Sequence, residues 1–370
     1  MRHRGLWFLA VAALLLVAAA VYVSSARRAE RPAGVGELLY PSLEAELDDV
    51  KAILIKGPGA ATLVTVRRGQ NGWEVAERSG FAADPSRVRT LLLGLTQART
   101  LEEKSALPAN YPSLGVEDLT APGATGAGVQ LEGLAAPVSL IVGKSPDGRS
   151  SFVRRTGEAA SWQVGTALTV ERDPAKWLAT DLLDIGADRV QSVQVAVSGQ
   201  RPWSAAKADR AALSFTVTGK PSSGEPEANG SADRVATALA GLRLSDVRRS
   251  GDTHDKPAAT ATYRTFDGLV LSIDGYTEGD KRYVRVRPSV DEAATRRFFT
   301  APAPAAAGNG TSDATPAKPA AAASGREKPA EVRTPESVLA QTRAEAAKLE
   351  TRLNGWTFEI PGWNYEAIFP

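Results

Sequence analysis

Arg87-Val88-Arg89-Thr90-Leu91-Leu92-Leu93-Gly94-Leu95 and Arg234-Val235-Ala236-Thr237-Ala238-Leu239-Ala240-Gly241-Leu242 are the two stretches on which the reading of this chain turns. Six of the nine positions are identical at an offset of 147. In the first stretch Val88, Leu91, Leu92 and Leu95 fall at i, i+3, i+4 and i+7, the apolar stripe of a helix packed on one face. Asp84-Pro85 precedes it, an N-cap followed by proline at the first helical position, and Ser231 takes the N-cap place in the second stretch. Gly94 and Gly241 are then expected inside helices, where glycine is tolerated for close approach to a sheet.

The surroundings of the two helices also match. Val50, Ile53 and Ile55 correspond to Val190, Val193 and Val195 at an offset of 140. Val138, Leu140 and Val142 correspond to Leu269, Leu271 and Ile273 at 131, and Phe152-Val153-Arg154 to Tyr283-Val284-Arg285 at the same offset. These runs alternate as strands do. Gln70-Asn71-Gly72 and Ser145-Pro146-Asp147-Gly148 join neighbouring strands as turns, and Trp162-Gln163-Val164 adds a further strand. The order predicts two tandem, related β-rich α+β repeats with antiparallel sheets, at 40–185 and 186–300. Asp173-Pro174 is expected to start another helix bearing Trp177, Leu178, Leu182 and Leu183.

Residues 301–330 hold twelve Ala and five Pro with no aromatic residue and no Val, Ile or Leu, so 301–333 reads as a disordered linker. Thr334-Pro335 caps a helix running through Leu353, and Trp356–Ile360 alternates as a last strand. Residues 334–370, with Trp363, Tyr365 and Phe369, are expected to pack back on the second repeat.

At the other end, Gly5 to Ala26 is 22 residues without a charge. At about 1.5 Å per residue it spans roughly the 30 Å core of a bilayer. Leu6, Trp7, Phe8, Leu14, Leu15, Leu16, Tyr22 and Val23 are the expected membrane-anchor residues, with Trp7 and Tyr22 at headgroup level. Residues 1–31 are read as an N-terminal signal anchor or transmembrane helix. Ser24-Ser25-Ala26 leaves a cleaved signal peptide as the alternative, but the apolar stretch exceeds the usual core of about 7–15 residues. The chain is therefore expected to be a single-pass membrane protein with its bulk outside the cytoplasm, membrane lipid being the first partner.

Composition narrows the chemistry. The 370 residues carry 44 basic and 42 acidic side chains, a net charge of +2, and the basic clusters Arg248-Arg249 and Arg282, Arg285, Arg287 lie among Asp246, Asp252, Asp274, Glu278 and Asp280. No nucleic-acid stripe results. There is no cysteine, and His3 and His254 are the two histidines, which leaves almost nothing for thiolate, zinc or serine–histidine chemistry. Gly143-Lys144-Ser145 lacks the earlier glycine of a phosphate-binding loop and sits in a hairpin. Asp48 with Asp49, and Asp181 with Asp184, read as solvated helix-end carboxylates rather than a glycosidase pair. No catalytic, cofactor-binding or metal-binding residue is assigned, and no cofactor is expected. The tryptophans Trp73, Trp162, Trp177, Trp203, Trp356 and Trp363 read as core anchors.

Taken together, the anchor, Gly72-Trp73-Glu74-Val75, the Asp84 helix, Tyr111-Pro112-Ser113-Leu114-Gly115-Val116, Ile141-Val142-Gly143 leading to Phe152-Val153, and Glu171-Arg172-Asp173 resemble a bacterial family. It is the family of membrane-anchored proteins of unknown function encoded beside gliding-motility-type and other ABC-2-type ABC transporters. The similarity covers most of residues 40–300 and the closing Trp356–Tyr365 segment. The resemblance implies no catalytic residues; it implies an envelope location and an accessory role, with ABC transporter subunits or other envelope proteins as partners. The expected function is therefore a non-enzymatic accessory or scaffold. A periplasmic lipid- or glycan-binding module is the alternative, and a carboxylate-dependent envelope hydrolase using Asp173 or Asp181 a lower one.

Overall fold

The computed structural model describes residues 35–210, 212, 214–219, 230–252, 256–299 and 334–370. The expected anchor residues Leu6 to Val23, Ser24-Ser25-Ala26, His254 and the 301–333 segment lie outside these. No helix among the described residues is long and apolar enough to cross a membrane. The chain divides into two units between Ala179 and Thr180, slightly upstream of the boundary expected at 185/186.

In the first unit, β1 (Ala52–Lys56), β2 (Thr62–Gly69) and β3 (Gly72–Val75) form a meander, with the Asn71-Gly72 turn where it was expected, and β4 (Phe81–Ala82) extends it. Helix α1 (Pro85–Gln97) follows; the Asp84 carboxylate accepts the Ser86 N–H at 2.8 Å, as an N-cap should. Val88, Leu91, Leu92 and Leu95 are its buried stripe. Gly94 is closely packed, for a Cβ there would lie 3.0 Å from Leu168 Cδ2. After β5 (Thr100–Ser105) and the single turn α2 (Tyr111–Leu114) come β6 (Ala127–Glu132), β7 (Val138–Val142), β8 (Ser151–Arg155) and β9 (Ser161–Val164). The sheet order is β4-β3-β2-β1-β6-β7-β8-β9-β5. Asp173-Pro174 opens only a 3-10 turn, Pro174–Trp177, with the Asp173 carboxylate accepting the Ala175 N–H. The helix expected beyond it does not form: Leu178 bridges to Ala83, and Leu182 and Leu183 lie on a strand. Tertiary pairing overrides the local helix signal there.

The second unit begins with that strand, β10 (Asp181–Leu183), then β11 (Val190–Val197), β12 (Trp203–Ala206), β13 (Thr216–Thr218) and α3 (Gly230–Thr237). Strands β14 (Leu242–Arg243), β15 (Asp246–Arg249), β16 (Ala259–Thr265), β17 (Leu269–Glu278) and β18 (Lys281–Val290) precede α4 (Glu292–Phe299). Then come α5 (Pro335–Leu353), β19 (Trp356–Ile360) and α6 (Gly362–Ile368). Thr334 caps α5 in a reciprocal box with Ser337. Its Thr342 hydroxyl donates to Asp267 O at 2.9 Å, while Tyr263 OH donates to Val235 O of α3 at 3.0 Å. Gly275 leaves room for the C-terminal aromatic pair, since a Cβ there would sit 2.6 Å from Phe369 Cε2. The last strand pairs with both β18 and β15, so the C-terminal segment packs on the second unit as expected.

The second helix departs from its template. It starts at Gly230, so Ser231 is within it rather than capping it, and it ends at Thr237. Gly241 therefore lies in a turn, at φ +60, with its N–H donated to Asp184 Oδ1 at 3.0 Å. That left-handed backbone, not closeness to a sheet, is what glycine serves there.

Both sheets are antiparallel throughout, an α+β architecture. The second runs β13-β12-β11-β16-β17-β18-β19-β15, the same order as β3-β2-β1-β6-β7-β8-β9-β5 of the first when strands are matched along the chain. The ladders refine the offsets. Ile55 pairs with Val129 and Val129 with Leu140; Val195 pairs with Ala261 and Ala261 with Ile273. Leu140 thus corresponds to Ile273, an offset of 133 rather than 131. A two-residue slip keeps every side chain on its face, so alternation alone does not detect it.

Candidate functional site

Each sheet buries one face beneath its helices; the other faces carry the chemistry and differ between the units. On the first sheet that face is crossed by the segment Tyr111–Leu119. Tyr111, Val116, Leu119 and Ile141 form a small buried cluster with Leu114 and Phe152 against it. Three glycines make the seat. A Cβ on Gly143 would run into Leu114 O, one on Gly126 would lie 2.5 Å from Gly115 O, and one on Gly128 2.6 Å from Leu119 Cδ1. Arg154 holds the segment from β8 while only 3% exposed. Its Nε donates to Val116 O at 2.8 Å, Nη1 to Glu158 O at 2.9 Å and Nη2 to Asp118 at 2.6 Å, with the guanidinium 4.5 Å over the Tyr111 ring.

Lys144 of Gly143-Lys144-Ser145 donates to Pro112 O and Ser113 O at the end of α2, and Ser145 Oγ accepts the Gly148 N–H. The tripeptide is a hairpin turn that ties down the crossing segment. Tyr40 OH donates to Ser139 O nearby, and burial pushes its pKa up to about 12, which leaves it a neutral structural donor. Under Asp118–Thr120 remains a cavity of about 170 Å³, over Lys56, Gly128, Gln130 and Ile141.

On the second sheet the corresponding face has two halves. The charged half is largely paired within itself. Arg248 donates to Glu278 at 2.9 Å and lies 4.1 Å over the Tyr283 ring; Arg287 pairs with Asp274 at 2.7 Å and Lys281 with Glu359 at 2.8 Å. The Glu359 hydrogen bond raises the Lys281 pKa above its ordinary value, and burial raises that of Tyr283. Arg285, the counterpart of Arg154, donates to Ser250 O at 2.9 Å and stacks 5.3 Å over Tyr276. Glu278, Asp274 and Glu359 thus neutralise Arg248, Arg287 and Lys281, while Arg285 is held by a carbonyl and a ring.

The other half is neutral. Thr262 lies opposite Gln194, Gln194 opposite Ser204, and Ser204 opposite Thr218, one row across four strands. Beside the row are Thr260 and Ala196, with Pro202 and Gly219 at its rim; the concavity is about 460 Å³. It shares its position in the strand order with the smaller cavity of the first sheet. Ala196, Thr260 and Thr262 stand where Lys56, Gly128 and Gln130 do.

A third cavity, about 380 Å³, surrounds Arg189, which is bonded to Asp267 and Glu345 at 2.8 Å each. The Glu345 bond, above all, raises its pKa. Since Asp267 lies between β16 and β17 and Glu345 on α5, this cluster reads as a clasp for α5.

Of the acidic residues singled out in the sequence, Asp181 meets Arg243 at 3.3 Å with both exposed, Asp184 and Asp173 accept backbone N–H groups, and Asp48 and Asp49 lie exposed on a 3-10 turn. Among the described residues no group of three His, Cys, Asp or Glu could hold a metal. Trp177, Trp203 and Trp356 are buried as expected and Trp73 and Trp162 only half-buried, but Trp363 is 72% exposed, because it stands on the first turn of α6 facing outward. The neutral row went unnoticed in the sequence; the alternating threonines of Ala259-Thr260-Ala261-Thr262 were its one signal.

A family model described as Domain of unknown function (DUF4340) matches residues 73–264, just over half of the chain. The chain belongs to this family. The DUF4340 match runs from β3 into β16 and so includes strands of both units, the crossing segment and the whole neutral row. No curated protein and no solved structure matches the chain.

Proposed function

We propose that this DUF4340 protein is a non-enzymatic, single-pass inner-membrane protein. It presents two tandem copies of one α+β fold outside the cytoplasm as an accessory or scaffold of an ABC-type transport system. The observation that carries this reading is the uncharged stretch from Gly5 to Ala26, placed immediately before the first unit. Gly36 N–H donates to Thr100 O and Leu39 N–H to Ala98 O, both at 2.7 Å, so the described first unit begins about a dozen positions after Val23 in the sequence. The shared strand order supports duplication of a single ancestral unit. The transporter enters through the resemblance to membrane-anchored proteins encoded beside ABC-2-type systems.

Gentle detergent extraction of the full chain, followed by cross-linking and mass spectrometry, tests the assembly. Enrichment of transporter permease or ATPase subunits is expected, and recovery of random envelope proteins overturns it. Protease added to spheroplasts should digest the two units while leaving the N-terminal stretch protected; full protection reverses the orientation.

A further inference from the structure

We infer that the concavity on the solvent face of the second sheet is a binding site for a neutral saccharide of one or two rings. The site stands on its own lining and does not depend on the scaffold reading.

The row Thr262, Gln194, Ser204 and Thr218 sets four uncharged polar side chains at the inter-strand spacing of roughly 4.8 Å. Thr260 adds a fifth, two residues from Thr262 on the same face. Among the described residues, none of these five side chains is engaged in a hydrogen bond, whereas the charged half of the same face is bonded to itself. Each hydroxyl both donates and accepts, and Gln194 offers a carbonyl beside an amide. That inventory complements adjacent sugar hydroxyls, which also donate and accept.

No charged residue is among the described residues lining the concavity, so nothing there repays the desolvation of a charged ligand. The β-branched threonines hold their hydroxyls in few rotamers, which reduces the entropy lost on binding. Ala196 deepens the floor, and the volume of about 460 Å³ falls in the usual range for small-ligand sites. The first sheet provides the contrast, since Leu54 stands in place of Gln194 and Asp118–Thr120 closes over the cavity.

Saturation-transfer difference NMR on the full chain in phosphocholine detergent, which carries no sugar, tests the site. The probes are maltose, cellobiose and chitobiose, with a sulfated disaccharide as the charged comparison. At least one neutral probe should receive saturation, and the Gln194→Leu/Thr262→Val double variant should weaken its binding at least tenfold with an unchanged melting midpoint. Thr65→Val in the first unit should leave binding as it was. Transfer to none of the neutral probes overturns the proposal. So does transfer undiminished in the double variant, or a sulfated probe that binds as well as the neutral ones. If the double variant melts early, the single variant Gln194→Ala decides: weakened binding supports the site, and undiminished binding overturns it.

Discussion

The two sheets share a strand order but finish their solvent faces in opposite ways. The first lacks side chains at Gly126, Gly128 and Gly143 and covers the gap with Tyr111–Leu119. The second fills the corresponding positions with its own side chains: Thr260 stands where Gly128 is, and Tyr276 where Gly143 is. Its connection from β15 to β16 spans only residues 250–258, against 106–126 between β5 and β6. A backbone plan can therefore be repeated while its surface is rebuilt, because the ladder hydrogen bonds depend on backbone and the outward residues do not.

The sharpest way to break this comparison is Arg154→Met. It leaves the carbonyls of Val116 and Glu158 without their donor and removes the stack on Tyr111; Asp118, largely exposed, simply resolvates. Losing two donors to such carbonyls should cost about 3 kcal/mol. Hydrogen exchange at the Val116 amide should accelerate accordingly. The matching change Arg285→Met should cost about 1 kcal/mol at the Ser250 amide, since one carbonyl loses its donor. Equal effects would mean that the crossing segment is not what distinguishes the units.

Next in size is Gly143→Ala, which forces the new methyl against Leu114 O and should cost roughly 2 kcal/mol by overpacking. The loss should appear as exchange at the Lys144 amide, which is bonded to Leu114 O, and leave the second unit unchanged.

The units also differ in how the last central strand is delivered: β9 follows β8 directly, whereas β19 arrives behind α5. Thr334→Ala removes the α5 cap and should destabilise by about 1 kcal/mol. Faster exchange in β19 with unaltered β9 is the expected signature.

The smallest effect is on acid stability. The Arg343 hydrogen bond holds the Glu292 carboxyl below its usual value, and in the first unit the Ser150 hydroxyl, with backbone N–H groups of Arg149 and Ser150, does the same for Asp147. A depressed carboxyl contributes stability that is fully present above the unfolded value, about 4, and fades as pH falls through the lower folded one. Melting midpoints of Glu292→Gln and Asp147→Asn should approach the parent's only below that range. Salt at about 0.5 M should mask the ionic contribution of Glu292 more than the hydrogen bonds that the Asp147 carboxylate accepts from neutral donors.

Much of this architecture was legible in the chain. The Asp84 and Thr334 caps, the Asn71-Gly72 turn and the Trp356–Ile360 strand act through neighbours in sequence, so local pattern sufficed. Where the reading failed, a distant partner decided. Leu183 looked helical but pairs as a strand with Leu242, and Gly241 matched a helical glycine but closes a turn on Asp184.

The candidate site was less legible because its members come from four strands separated by long connections, and no spacing in sequence brings Thr262, Gln194, Ser204 and Thr218 into a row. By itself, then, the sequence determined the β1 and β11 strands, the 138–155 and 269–285 hairpins, the Asp84 and Thr334 helices with their caps, the closing strand and the repeated order of these parts, all products of short-range periodicity. Register to within two residues, the crossing of Tyr111–Leu119 over three glycines and the neutral row were decided by tertiary structure alone. Each depends on which strands lie side by side, and a period of two does not encode that.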